Sequence, residues 1–235
     1  MAYTALELIN RAYYLSQVVS RELQTVSGVQ VTDGLYLLNA LIGFKNTDVH
    51  HIPYYTRYSF NSVIGQEEYF IDNLLEVDSL TFNIGDVRYS LDVMTRDQYF
   101  GSPRVDNIES LPYMYRVERE IGGSRIYLYF EPQAVYVMKL SGKFGFDTVD
   151  LTTDLETVFD SFYIEYMRYL LASMICAEYG ATFPDASQQQ LGVYQKKLMS
   201  VSPKDLSLKK RNLIGTGTPA WNWQAINLVK GFWPD

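Results

Sequence analysis

The hydrophobic period of this chain changes twice, and that change limits its fold more than any other feature. Before Ile52-Pro53, apolar residues recur every three or four positions, the spacing of one helix face. Thr4-Ala5-Leu6-Glu7 is a capping-box pattern, with Thr4 placed to cap and Glu7 to reach back. Leu6, Ile9, Tyr13 and Val18 follow at helical spacing, and this helix is expected to end near Ser27-Gly28. Thr32-Asp33-Gly34 then reads as a second helix start. Leu35, Leu38, Leu41 and Ile42 form its apolar stripe, and Lys45-Asn46 marks its end.

After Ile52-Pro53 the period becomes two. Tyr69-Phe70-Ile71 is a short strand. Leu80, Phe82 and Ile84 alternate with polar residues, Gly85-Asp86 makes a turn, and Tyr89, Leu91 and Val93 alternate again. Gly122-Gly123 reads as a hairpin turn into Ile126, Leu128 and Phe130. Glu131-Pro132-Gln133 turns the chain once more, into Tyr136, Met138 and Leu140. Short strands joined by hairpin turns predict an antiparallel sandwich or small barrel.

Helical spacing returns after Asp150. Phe159, Phe162, Tyr163, Tyr166, Leu170 and Met174 share a stripe, and Gly180 is its C-terminal stop. Pro184-Asp185 opens another helix with Leu191, Tyr194, Leu198 and Val201, which Pro203 ends. Beyond Pro203 no period is sustained, and Gly215, Gly217, Pro219, Gly231 and Pro234 break any helix or central strand.

The expected fold class is therefore α+β. A four-helix unit carries an antiparallel β sandwich or barrel module inserted between helices 2 and 3, and an extended C-terminal arm follows. The helices occupy 1–53 and 148–202, the β module 54–147 and the arm 203–235.

The chemistry-bearing residues are few. The only cysteine, Cys176, excludes an internal disulfide framework and a four-cysteine zinc site, and reads as a buried small hydrophobe on the third helix. The two histidines, His50 and His51, are adjacent, so on a strand they would point to opposite faces and not share an ion. Gly215-Thr216-Gly217-Thr218-Pro219 lacks the lysine and the following helix of a phosphate loop. The acidic pairs Glu67-Glu68, Glu118/Glu120 and Asp147/Asp150 read as solvated charges, with acid–base hydrolysis as the sharper alternative. No apolar run is long enough to span a membrane, and Met1-Ala2-Tyr3-Thr4-Ala5 has neither the basic start nor the apolar stretch of a secretory leader, so none is expected.

Charge and aromatic residues are unevenly spread. Net charge is −7, yet in 203–235 five cations face only Asp205 and Asp235, which leaves that segment at +3 and the remainder at −10. Of 20 tyrosines, eleven lie between Tyr54 and Tyr136, either as half-buried strand residues or as sugar-stacking platforms of a glycan-binding module. All three tryptophans fall at the end of the chain. The arm combines Lys209, Lys210 and Arg211 with Trp221, Trp223, Phe232 and Trp233. Extended, its residues reach roughly 110 Å. Large aromatics in an aperiodic segment either fold back onto the chain's own domain or, the sharper reading, anchor in another subunit with the basic cluster facing an acidic surface.

Three stretches carry a family likeness. They are Gly34-Leu35-Tyr36-Leu37-Leu38-Asn39-Ala40-Leu41-Ile42 with Ile52-Pro53-Tyr54-Tyr55, the β pattern from Gln66-Glu67-Glu68-Tyr69-Phe70-Ile71 through Tyr127-Leu128-Tyr129-Phe130-Glu131-Pro132-Gln133, and Phe159-Asp160-Ser161-Phe162-Tyr163 through Cys176-Ala177-Glu178-Tyr179-Gly180. In layout and texture the chain resembles the head-to-tail adaptor proteins of short-tailed bacteriophages, of the tail tubular and DNA-stabilisation type, which form the ring beneath the portal. The resemblance implies a structural virion protein of the neck and tail, made in the host cytoplasm, with no catalysis and no cofactor. It implies as partners the portal protein, further copies of the chain in a ring of twelve, and the tail nozzle protein, with no membrane. DNA would pass through the channel without specific binding, and an acidic body suits that passage because it repels phosphate. By position and character, Lys209, Lys210, Arg211, Trp221, Trp223, Phe232 and Trp233 would dock into the portal.

Overall fold

The computed structural model describes residues 3–101 and 107–201, all within one compact unit, Met1–Ser202. The fold is α+β. Among the described residues, helices α1 (Ala5–Leu15) and α2 (Gly28–Thr47) precede ten strands, and α3 (Ser161–Glu178) and α4 (Asp185–Val201) follow them. The strands are β1 (Thr56–Asn61), β2 (Glu68–Asp72), β3 (Leu74–Ile84), β4 (Val87–Ser90), β5 (Asp92–Val93), β6 (Glu109–Ser110), β7 (Met114–Glu120), β8 (Gly123–Tyr129), β9 (Glu131–Pro132) and β10 (Val137–Phe144).

Helix boundaries differ from those the spacing predicts, and local chemistry explains each. Thr4 does cap α1, its Oγ1 accepting from Glu7 N–H, but the Glu7 carboxylate pairs with Arg11 and does not reach back. The helix ends at Leu15, twelve residues before the expected stop. Gln17 there takes φ 61°, and the Ser16 hydroxyl donates to the Tyr13 carbonyl. The reciprocal capping box belongs to α2. Ser27 Oγ accepts from Gln30 N–H while Gln30 Oε1 accepts from Ser27 N–H, so α2 starts at Gly28, before Thr32. The buried stripe of α3 runs through Tyr163, Tyr166, Met167, Leu171 and Ile175; Phe162, Leu170 and Met174 flank it. Gly180 ends that helix with φ 63°, and Ala181 N–H bonds to the Cys176 carbonyl. Val201 is exposed, not part of the α4 stripe.

The strands form two four-stranded sheets, ordered β1-β10-β3-β4 and β2-β8-β7-β5. They share one apolar interior built from alternate residues: Tyr69 and Ile71 of β2, Leu80 and Phe82 of β3, Ile126 and Leu128 of β8, Met138 and Leu140 of β10. The module is a sandwich, not a barrel. The strand pairs are antiparallel, as expected, with two exceptions. Two short pairs are parallel, Asp92-Val93 with Met114-Tyr115 and Glu109-Ser110 with Glu131-Pro132. The roughly twenty residues between β5 and β7 are long enough for the crossover such pairing requires. Glu131-Pro132 is thus an edge strand, where a proline is tolerated, and not a turn. The hairpin turn is Ile121-Gly122, with Gly122 at φ 84°. Gly123 already pairs in β8, where a Cβ would collide with the Ile71 carbonyl oxygen.

All four helices contribute to a second apolar interior, including Leu8, Ile9 and Tyr13 of α1, Leu38, Leu41 and Ile42 of α2, Tyr163 and Tyr166 of α3, and Leu191 and Leu198 of α4. The segment leaving β10 is fastened to α2 by two asparagines. Asn46 Nδ2 donates to the Phe146 carbonyl (2.8 Å) and its Oδ1 accepts from Phe146 N–H (2.9 Å). Asn39 does the same to Val149, at 3.0 and 2.8 Å. Seven residues apart, the two lie on one side of α2.

Candidate interaction surfaces

The seven residues expected to dock into a portal, Lys209, Lys210, Arg211, Trp221, Trp223, Phe232 and Trp233, lie outside the described residues, as does Gly215-Thr216-Gly217-Thr218-Pro219. The remaining candidates can be placed.

His51 Nδ1 pairs with the Asp48 carboxylate one helical turn away, while His50 is exposed. Cys176 is buried; its thiol lies 3.5 Å from the Ser16 carbonyl, and burial pushes its pKa up. At least one member of each acidic pair is engaged by a neighbour. Arg125 bridges Glu68 (2.6 Å) and Glu120 (2.7 Å), and its hydrogen bond holds the Glu120 carboxyl below the ordinary carboxylate range. Glu118 faces Arg96 and Arg116 at 3.3 and 3.7 Å. Glu67 accepts from Tyr99, and Asp147 Oδ1 accepts from Asn73. Among the described residues no three His, Cys, Asp or Glu side chains are grouped to hold a metal ion. No helix among them is long and apolar enough to cross a membrane.

The β-module tyrosines lean on other rings. Tyr89 stacks on Phe82, Tyr58 packs beside Phe60 and Phe144, and Tyr113 meets Tyr129 and Phe130. Tyr69 and Tyr115 are buried outright.

Two surfaces stand out, and neither was singled out from the sequence. The first is the outer side of α2. Its inner side packs into the helical interior, yet Val29, Tyr36 and Phe44 on the other side are 73, 75 and 63% exposed. Ala40 and Gly43 lie exposed between them, and Asp33 is the single charged residue among the exposed positions of the helix. Large apolar residues clustered on the outer side of a helix leave surface that a partner would cover. The sequence signal was available in the near-continuous apolar run Leu35–Ile42.

The second is the outer face of the β1-β10-β3-β4 sheet. Arg57 of β1 lies opposite Ser141 of β10, which lies opposite Ser79 of β3. One row along, Lys139 sits between Ser59 and Thr81, and one row further Arg88 faces Asn83. The three cations and their hydroxyl neighbours surround a concavity of about 450 Å³. Among the described residues none of the three forms an ion pair. The opposite sheet differs, since its outward Arg116 and Arg125 are matched by Glu118, Glu68 and Glu120. No spacing rule could have joined residues from three separated strands. Compared with known proteins, the chain matches no family model and no curated protein.

Proposed function

We propose that this chain is a non-enzymatic structural protein of a short-tailed bacteriophage virion, the ring-forming adaptor between the portal and the tail. On this reading the four helices act as one unit, with the sandwich inserted between its second and third members. The 203–235 segment is the portal-docking arm. One observation supports the reading above the others: the exposed outer side of α2 carries three large apolar residues, Val29, Tyr36 and Phe44, with Asp33 as its single charge. A ring of identical subunits needs a permanently buried, weakly charged patch on each copy, and Val29, Tyr36 and Phe44 supply one. The patch would be covered by the next copy in the ring.

The test mixes the full chain with portal rings and images the product by electron microscopy. The expected result is a closed ring of copies beneath each portal. Tyr36→Asp with Phe44→Asp, two substitutions at exposed positions, should leave the fold intact and prevent ring closure. A chain ending at Ser202 should fold and fail to attach. Attachment of that shortened chain would overturn the docking role of the arm, and rings formed by the double variant would overturn the role of α2.

A further inference from the structure

We propose that the outer face of the β1-β10-β3-β4 sheet is a binding site for a phosphorylated sugar unit of an anionic glycan. The inference is independent of the adaptor reading. It starts from charge. A chain of net −7 has acid to spare for neutralising its cations, and on the opposite sheet it does so. On this face Arg57, Lys139 and Arg88 are exposed and have no carboxylate partner among the described residues. Unopposed cations on one concave face raise the local concentration of anions.

The register sets the ligand's shape. Neighbouring strands lie about 4.8 Å apart and same-face residues about 6.8 Å along a strand, so the Arg57 and Lys139 positions are about 8 Å apart and those of Lys139 and Arg88 about 12 Å. Side chains of that length can close on one phosphate from two sides, with the third cation left for another anionic group. The floor between them is hydroxyl-bearing: Ser59, Ser79, Thr81 and Ser141. Hydroxyls both donate and accept, which matches sugar hydroxyls in a way that a purely cationic patch does not. A concavity of about 450 Å³ is within the range of small-ligand sites.

Two competing ligands fit less well. A nucleic acid strand uses aromatic platforms for its bases. The ring lining this face, Tyr58, is engaged with Phe60 and Phe144. A neutral glycan would need exposed ring faces and would leave the cations unused.

The full-length protein, isotopically labelled for NMR, is titrated at low salt with mannose 6-phosphate, mannose, inorganic phosphate, phosphomannan and a short oligothymidylate. Mannose 6-phosphate should shift the Ser59, Thr81 and Ser141 amide signals saturably and bind more tightly than mannose or inorganic phosphate. Phosphomannan should bind more tightly again. Losing one charge-assisted hydrogen bond weakens binding by about tenfold, so Lys139→Gln and, separately, Arg57→Gln should each show that loss. Arg21→Gln, on the helical part, should change nothing. Absence of a saturable shift on this face overturns the proposal. So does inorganic phosphate binding as well as mannose 6-phosphate, phosphomannan binding no better than the free sugar phosphate, or oligothymidylate binding most tightly of all.

Discussion

Asn46 and Asn39 hold the chain leaving the sandwich against α2 by presenting a backbone with what another backbone would present, one donor and one acceptor each. Asn46→Ala would leave both polar groups of Phe146 without partners in a half-buried place. A buried group left unpaired costs about 1–3 kcal/mol, so the expected loss is about 2–3 kcal/mol, read as a lower urea midpoint at unchanged slope. Asn46→Asp keeps the acceptor for Phe146 N–H and loses the donor, so it should fall between Ala and the natural residue. An Ala variant as stable as the natural chain would show that solvent satisfies Phe146 equally well. Nothing in the sequence marks either asparagine. Their partners lie 100 and 110 residues away, and a side chain bonded to a distant backbone leaves no pattern around itself. Cys176 is the opposite case, because its place on an apolar helix face is enough to put it inside.

Helix α2 shows where local reading holds and where it stops. Its apolar stripe was legible because burial and periodicity coincide at Leu38, Leu41 and Ile42. Its start was not, because Ser27 and Gln30 cap it about two turns before the apolar run that draws the eye. The outer side was missed because large apolar residues on both sides of the helix blur its amphipathic contrast. The two glycines Gly34 and Gly43 look alike in sequence and should behave oppositely. A Cβ at Gly34 would lie 2.5 Å from Ile9 Cγ2 and 3.1 Å from the Tyr13 ring, so α1 and α2 approach through that missing methyl. Gly34→Ala gains roughly 1 kcal/mol of helix propensity and meets an overpacking penalty of about 1–3 kcal/mol, so a net destabilisation is expected. Gly43 has nothing within 4 Å, and Gly43→Ala should stabilise the chain by about 0.5–1 kcal/mol. Thermal unfolding of the two single variants tests the contrast. Equal shifts of one sign would show that the α1–α2 approach does not depend on Gly34.

At the scale of the whole molecule, the order of layers was legible because period three-to-four and period two cannot be satisfied by one element. The pairing of sheets was not, since β5 reaches β7 and β6 reaches β9 across long connections that carry no register signal. The tyrosines join the two scales, because all 20 fall within the described residues and both apolar interiors use them. Burial pushes Tyr54, Tyr115 and Tyr166 up to about 12, and Tyr13 and Tyr163 are also raised, burial again being the main cause. A phenol with a folded pKa above its unfolded value of about 10 contributes stability that is complete below pH 10 and is lost as pH climbs through the folded value. For Tyr115, 1% exposed, the rise corresponds to about 3 kcal/mol, a large share of the 5–15 kcal/mol typical of a domain. The phenolate absorbance should therefore rise in two stages. Phenols open to solvent ionise first, near the ordinary value of about 10, with the circular dichroism unchanged. The remainder ionise together with loss of helix and sheet signal as the pH approaches 12. If every tyrosine ionised near pH 10 while the circular dichroism stayed native, the buried rings would be reachable by water and neither interior would be closed.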